Sequence, residues 1–238
     1  MKKNKNILIT GATGGIGVEL ARKFAEQNNL ILVSNSIQKL NELKDELNKI
    51  TEKKIAVFQC DFSDTNNFKK LIIEIRKSSL NRIDALINNA GIFIKKSIKD
   101  SDLKNIQDSL NINLIYPFLL IKEFSKEMTE NGWGRIVNIG SSSSYDGFEN
   151  GSIYSSTKHA ILGLSRSCNK ELKKYGVRVI SVSPSSVDTK MGRINDDQVF
   201  ETFINSKEIA EAIDQIIWYN NQMIIDEIRL NRMEIKYK

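Results

Sequence analysis

The feature that most constrains the fold is a regular alternation of short apolar runs with segments of helical periodicity. Seven runs have the length of strands, at residues 6–10, 30–34, 54–60, 83–88, 134–140, 177–183 and 223–229. Runs such as 83–87 and 177–182 are apolar enough to suit strands that are covered by helices on both faces. The alternation therefore predicts an α/β fold, with a doubly wound parallel sheet and right-handed crossovers.

Length and composition fit one domain spanning residues 1–238. A chain of 238 residues with 40% hydrophobic content can bury a substantial core, and no Pro/Gly/Ser-rich linker divides it. No run of eighteen apolar residues occurs, so we expect a cytoplasmic protein that does not enter a membrane. Cys60 and Cys168 lie far apart, which suits a reducing compartment and predicts neither a disulfide nor a metal site.

The net charge of +6 raises the question of nucleic-acid binding. The lysines, however, alternate with acids along helical segments such as 39–46, which is typical of a solvated face. No block of five or six basic residues and no recognition motif is present, so we expect no nucleic-acid partner.

A glycine-rich turn near the N-terminus joins the first apolar run to the first helical segment. The run Ile7-Leu8-Ile9 leads into Thr10-Gly-Ala-Thr-Gly-Gly-Ile-Gly17 and then into a helical pattern. Glycines permit a tight turn and a close approach of backbone to a pyrophosphate, whose charge is met by the helix N-terminus. A plain turn is the alternative, but the order strand, glycine turn, helix favours a dinucleotide site.

Three polar residues in the second half form a candidate proton-transfer device. Ser141 follows an apolar strand, and Tyr154 and Lys158 are one helical turn apart on the same face. A neighbouring ammonium favours phenolate, so we expect Lys158 to lower the pKa of Tyr154 toward neutrality. Tyr154 would then serve as a general acid or base, with Ser141 holding a substrate oxygen.

With these motifs the chain resembles the short-chain dehydrogenase/reductase family over about residues 5–230. The family's glycine motif falls on Thr10, Gly11, Gly15 and Gly17, its Asn-Asn-Ala-Gly motif on Asn88, Asn89, Ala90 and Gly91, and its catalytic tetrad on Asn113, Ser141, Tyr154 and Lys158. The family's Pro-Gly-x-x-x-Thr segment begins here at Pro184 with Ser185 in place of glycine, which changes the backbone expected beside the nicotinamide.

The resemblance implies a Rossmann-type NAD(P)-dependent oxidoreductase that transfers a hydride between nicotinamide and a carbonyl or alcohol. The implied cofactor-binding residues are Gly11, Thr13, Gly14, Gly15, Ile16, Gly17, Ser34, Asn35, Asp61, Phe62, Asn89, Ala90, Gly91, Tyr154, Lys158, Pro184, Val187 and Thr189. By the same resemblance Asn113 holds a water linking Lys158 to solvent, and Asp61 contacts adenine. From local sequence alone, a helix-distorting polar residue is the better interpretation of Asn113, and Asp61 is equally a capping acid in a loop.

The choice between NADP and NAD depends on the residues after the second strand. An acid there would bind the ribose 2′-hydroxyl, whereas a basic residue would accept a 2′-phosphate. This chain has Ser34-Asn35-Ser36, which is neither. The absence of a carboxylate in these three positions favours NADP, with NAD as the alternative.

Substrate and assembly are less constrained. The chain lacks the C-terminal Asp-Gly-Gly of 3-oxoacyl-carrier-protein reductases, so hydroxy acids, sugars and other ketones all stay open. A short segment at about 190–205 is expected to be a mobile substrate lid, with Met191 and Phe200 supplying apolar contacts to a fairly large carbonyl substrate. The alternative is a shortened loop with no bearing on specificity. The family resemblance implies a homodimer or homotetramer. A catalytically silent nucleotide-binding regulator of the same fold is the alternative function.

Overall fold

A computed structural model describes residues 4–194 and 197–238 of the protein. In these residues seven strands form a sheet in the order β3-β2-β1-β4-β5-β6-β7, with every neighbouring pair parallel. The strands are β1 (Asn6–Thr10), β2 (Asn29–Ser34), β3 (Ile55–Gln59), β4 (Ala85–Asn88), β5 (Gly134–Ile139), β6 (Val177–Pro184) and β7 (Glu227–Leu230). The predicted doubly wound parallel sheet is therefore confirmed.

Helices connect the strands and cover both faces of the sheet. They are α1 (Gly15–Ala25), α2 (Ile37–Leu47), α3 (Asn67–Lys77), α4 (Leu103–Leu110), α5 (Tyr116–Glu130), α6 (Ser152–Leu172) and α7 (Ser206–Ile217). Because strand side chains alternate, Ile7 and Ile9 pack with α1, α2 and α7, whereas Leu8 packs with α3 and α5. The two resulting cores explain why the central strands are apolar at nearly every position.

The last strand begins later than the sequence pattern predicts. We expected a strand over 223–229, but β7 begins at Glu227. The carbonyl oxygens of Asn221 and Met223 instead accept hydrogen bonds from the guanidinium of Arg178, at 2.9 Å for Met223. The Arg178 side chain, from β6, thus hydrogen-bonds backbone carbonyl groups just before β7 and takes the place of strand pairing there.

The topology places a large crevice at the carboxyl ends of the strands. The chain moves outward from β1 to β3 on one side and from β4 to β7 on the other, so the order reverses between β1 and β4. Ligands of open α/β sheets bind at such a reversal. A cleft of about 1260 Å³ lies there. Within the two described ranges, no helix has the length and apolarity needed to span a membrane.

Candidate active site

The glycine turn after β1 is closely packed, and glycine is required at several of its positions. Gly11 has a φ of +62°, and a Cβ there would lie 2.8 Å from the Cα of Ala90. A Cβ on Gly15 would collide with the side chain of Thr189. Gly14 precedes α1 without any side-chain cap. The first turn of α1 thus presents backbone N–H groups toward the cleft, as an anion-binding helix terminus does.

Thr10 joins the glycine turn to the loop after β4. Its hydroxyl oxygen accepts hydrogen bonds from the backbone N–H groups of Asn89 and Ala90, both at 3.0 Å. The side-chain amide of Asn89 donates back to the carbonyl oxygens of Thr10 and Gly11, at 3.0 and 3.1 Å. The two motifs that the sequence placed 78 residues apart therefore form one rigid floor at the switch point.

The end of β2 forms a small polar pocket beside the glycine turn. The hydroxyls of Thr13 and Ser34 lie 2.7 Å apart, and Ser34 also accepts from the N–H of Ser36 at 3.2 Å. Ser36 caps α2 by accepting from the N–H of Lys39 at 3.4 Å. Ser34, Asn35 and Lys39 line the cleft, next to the positive end of the α2 dipole.

The candidate catalytic residues converge at the ends of β5 and α6. Tyr154 is buried, and the ring of Phe93 meets it edge-on with centroids 4.8 Å apart. The Nζ of Lys158 lies 5.5 Å from the centroid of the Tyr154 ring and donates to the carbonyl oxygen of Ile139 at 2.8 Å. Ser141 follows two residues after Ile139, and its hydroxyl accepts from the N–H of Ser143 at 3.1 Å.

Burial controls the protonation of Tyr154 and Lys158. It raises the pKa of Tyr154 to about 12, against a smaller lowering by the Ser141 hydroxyl. Burial also lowers the pKa of Lys158 to about 8. The expected lowering of the Tyr154 pKa by Lys158 does not appear in this structure, because burial removes both groups from water and disfavours the charged form of each.

Asn113 lies in a π-helical turn, Asn111–Ile115, between α4 and α5. Its side-chain oxygen accepts from the N–H of Ile92 at 2.9 Å, and its amide donates to Ile92 O and Thr157 Oγ1, each at 3.0 Å. A Cβ on Gly91 would lie 3.3 Å from the Asn113 oxygen and 3.8 Å from Lys158 Nζ, so the two side chains are close neighbours. Helix distortion and proximity to Lys158 therefore occur together at this residue.

The segment after β6 tolerates serine in place of the family glycine. Among the described residues, the non-glycine positions with positive φ are Asn4 and Asn150, so Ser185 has an ordinary backbone conformation. The N–H of Ser185 donates to Leu230 O at 2.8 Å, which extends the β6–β7 pairing. The departure at Ser185 thus leaves Pro184 and Val187 at the cleft.

Most of the predicted site residues line this one cleft. The exceptions are Gly17, which packs behind the turn against Gly11, and Asn113, which lies behind Gly91. Asp61 and Phe62 line the cleft at the β3 end, where Asp61 also accepts from the N–H of Ser63 at 2.9 Å, as a loop acid does.

Sequence reasoning missed several residues of the substrate side. Phe93 and Phe148, with ring centroids 5.8 Å apart, line the cleft beside Tyr154. Phe93 lies two residues after the Asn88–Gly91 motif, and that position was a usable signal. Residues of the C-terminal tail, among them Arg232 and Tyr237, line the opposite side and follow no recognisable motif.

The predicted lid is bonded to this tail. Its residues 195 and 196 lie outside the described residues. Gln198 forms a bridge with Tyr237, and the N–H of Val199 donates to Lys236 O at 2.9 Å. Met191 lines the cleft as expected. Phe200 instead packs against Phe203, away from the cleft lining, with centroids 5.3 Å apart.

Comparison with known proteins shows wide similarity. Residues 5–199 match the short chain dehydrogenase family. A 3-oxoacyl-[acyl-carrier-protein] reductase of Rickettsia conorii is 31% identical over 82% of this chain and 78% of its own. An uncharacterized oxidoreductase of Staphylococcus saprophyticus is 26% identical over 95% and 96% of the two chains. A short-chain dehydrogenase from Sphingobium yanoikuyae, solved in complex with NADPH, has a TM-score of 0.83 at 26% identity, covering 94% of this chain and 87% of that one.

Proposed function

Since this chain belongs to the short-chain dehydrogenase family and is an NAD(P)-dependent oxidoreductase, we propose that Tyr154 transfers the proton in a carbonyl–alcohol interconversion. A bound nicotinamide supplies or accepts the hydride at the substrate carbon. Tyr154 gives its proton to the carbonyl oxygen during reduction and takes it back during oxidation. The relatives are named as oxidoreductases, which favours this activity over a silent nucleotide-binding regulator.

The neighbouring side chains have distinct tasks in this proposal. The Ser141 hydroxyl donates to the substrate oxygen while charge develops on it. The Lys158 ammonium, fixed by its bond to Ile139 O, stabilises the phenolate left after the proton transfer. Asn113 fixes the turn that carries Gly91, next to Lys158. With a pKa of about 12, Tyr154 retains its proton at neutral pH, which suits the acid role in reduction.

The residues present fit a nicotinamide dinucleotide. The cleft floor is backbone at Gly11 and Gly15, where any Cβ would collide with a neighbour, and it ends at the uncapped start of α1. Such a floor lets a pyrophosphate approach the helix N-terminus. The cleft of about 1260 Å³ exceeds the usual range of about 300–1,000 Å³ for small-molecule sites, as expected for a dinucleotide with its substrate.

The single observation that carries the proposal is the buried Tyr154 phenol at the cleft, with Ser141 and Lys158 beside it. Its test is Tyr154→Phe, which keeps the ring against Phe93 and removes only the hydroxyl. We expect turnover to fall by about 10²–10⁴-fold while the dissociation constant of the cofactor changes little.

A matched control is Tyr145→Phe. The hydroxyl of Tyr145 donates to Glu227 at 3.1 Å, outside the cleft lining. Near-normal turnover in Tyr154→Phe, or an equal loss in both variants, would contradict the assignment.

We propose NADP rather than NAD as the preferred cofactor. Ser34 and Asn35 can donate hydrogen bonds to a 2′-phosphate, and Lys39 adds a positive charge in the same part of the cleft. The N-terminus of α2 directs its dipole there as well. The similarity to a dehydrogenase solved with NADPH supports the proposal.

We also propose a cytoplasmic homo-oligomer. Exposed apolar side chains lie along α4, the π-helical turn and α5, at Leu103, Ile106, Ile115 and Phe118. Several exposed apolar side chains on consecutive helical segments are typical of a protein–protein contact. Cys60 and Cys168 are free thiols, as suits a reducing compartment. Sedimentation at micromolar concentration tests the assembly, and a monomer there would contradict it.

A further inference from the structure

Arg232 is a cation at the cleft for which no described acid provides a counter-charge. It follows β7 in the C-terminal tail, is half-buried, and lines the cleft. No carboxylate within residues 4–194 and 197–238 forms an ion pair with it, although Asp197 lines the same cleft. A cation that is partly withdrawn from water loses hydration, so one that lines a cleft without a counter-charge needs an explanation.

The hydrogen bonding of Arg232 is also incomplete. Its Nε is buried without any partner, and its Nη1 makes one long bond to Thr202 Oγ1, at 3.4 Å. The guanidinium carbon lies 5.0 Å from the centroid of the Phe203 ring, which provides a cation–π contact. Burial lowers the pKa of Arg232, as expected for a desolvated cation. A planar guanidinium whose hydrogen-bonding capacity is so incompletely used is suited to a carboxylate.

Arg232 and the candidate catalytic residues Ser141 and Tyr154 line the same cleft, and Ser141 and Arg232 follow strands that are two positions apart in the sheet. β5, β6 and β7 are neighbours, with Ile139 beside Val182 and Pro184 beside Leu230. Strands two positions apart are separated by about 10 Å, so the residues following β5 and β7 face one substrate-sized space. Ser141 follows β5, and Arg232 follows β7 by two residues.

We propose that Arg232 binds the carboxylate of an oxo-acid substrate whose carbonyl group lies at Ser141 and Tyr154. This inference rests on the proposed reductase function and specifies its substrate class. A carboxylate suits the site better than a phosphate, because one guanidinium balances one negative charge, whereas phosphate sites usually add backbone N–H groups or further cations. Stacking on Phe203 alone is the competing explanation of the residue, and a charge-free variant of equal length distinguishes the two.

The test uses the full chain with NADPH and a ladder of oxo acids from 3-oxobutanoate to 7-oxooctanoate, each paired with its methyl ester. For at least one chain length, we expect kcat/KM for the oxo acid to be tenfold or more above kcat/KM for its methyl ester. Arg232→Met should raise the KM of that acid by roughly 10–100-fold, the worth of a charge-assisted hydrogen bond, with kcat and the ester little changed. The KM of the acid in Arg232→Lys should lie between those of the unmodified protein and Arg232→Met, because lysine keeps the positive charge but cannot form the two parallel hydrogen bonds of a guanidinium.

The matched control is Arg229→Met. Arg229 is exposed, stacks 3.3 Å from the centroid of the Tyr145 ring, and does not line the cleft. The Arg229→Met variant should leave the ratio of kcat/KM between acid and ester unchanged. Esters preferred at every length by the unmodified protein, or an acid-to-ester ratio that survives Arg232→Met, would overturn the proposal.

A binding arm separates this inference from the reductase function. Pentanoate has the carboxylate but no carbonyl, and its binding to the protein with NADP⁺ can be followed by calorimetry beside pentanamide. Pentanoate binding that requires Arg232 supports the anion site even if no carbonyl in the ladder is reduced, in which case the reductase proposal alone fails. Pentanoate binding no tighter than that of pentanamide, in a protein that does bind NADP⁺, would refute the site.

Discussion

The Nζ of Lys158 donates a hydrogen bond to the carbonyl oxygen of Ile139 at 2.8 Å, which ties α6 to the end of β5. Ile139 is two residues before Ser141, and Lys158 is one helical turn after Tyr154. One bond therefore fixes the position of the hydroxyl that would hold the substrate relative to the phenol that would protonate it. The same bond holds the ammonium in a site from which water is largely excluded, since Lys158 is 5% exposed.

The cost of burying that ammonium should appear in the pH dependence of stability. The pKa of Lys158 is lowered from 10.5 to about 8 by burial, so from pH 8 to 10.5 the unfolded chain binds more protons than the folded one. The contribution of Lys158 to the free energy of unfolding therefore rises with pH across that window. Lys158→Met lacks this rise. From pH 7 to 10, the free energy of unfolding of the unmodified protein should therefore increase relative to that of the variant by up to about 3 kcal/mol.

Urea unfolding at pH 7, 8, 9 and 10 measures this difference. Lys170→Met, an exposed site on the same helix, serves as the control and should show no such trend. A stability difference for Lys158→Met that is constant over the range would show that Lys158 is not held with a lowered pKa.

Cofactor preference should depend on the charge at position 35. We expect the unmodified protein to bind NADPH more tightly than NADH. Asn35→Asp should reverse that order, because a carboxylate repels a 2′-phosphate and can bind a ribose 2′-hydroxyl. Fluorescence titration of both proteins with both cofactors gives the dissociation constants that decide the order. Gln38→Glu adds the same charge to α2 outside the cleft lining and should leave the preference unchanged. Tighter binding of NADH by the unmodified protein would refute the assignment.

The contact between Gly15 and Thr189 should make Gly15 more sensitive to substitution than its neighbour Gly14. Gly15→Ala places a methyl group against the Thr189 side chain, whereas at Gly14 the nearest atom to a Cβ is Gly11 O at 3.3 Å. Overpacking costs about 1–3 kcal/mol, so Gly15→Ala should weaken dinucleotide binding about tenfold more than Gly14→Ala does. Thr189→Ser removes the colliding methyl and should restore part of the loss. Equal effects of the two alanine variants would contradict the packing argument.

Local sequence patterns predicted the sheet because each strand and its covering helix are encoded within a few tens of residues. The glycine turn, Asn89 and the Tyr154–Lys158 pair were predicted for the same reason, through short motifs. The dominance of burial over the Lys158 charge could not be predicted, since desolvation depends on everything packed around α6. The pairing of Gln198 with Tyr237 joins distant segments without a motif, so the tail's place at the cleft required the structure.

That pairing leads to a prediction for the lid. Residues 190–194 and 197–205 have little apolar periodicity, and we expect their amides to exchange rapidly in the cofactor-free protein and to gain protection when ligand binds. Val199 and Ile204 should be exceptions, because their N–H groups donate to Lys236 O at 2.9 Å and to Ser186 O at 3.0 Å. Removing residues 234–238 should therefore speed exchange at Val199 toward that of its neighbours. Hydrogen exchange followed by NMR resolves the individual amides, and those of β5, which lies in the sheet core, give the internal control in both chains. Strong protection throughout the lid of the free protein would contradict its mobility, and unchanged protection of Val199 after truncation would contradict the role of the tail.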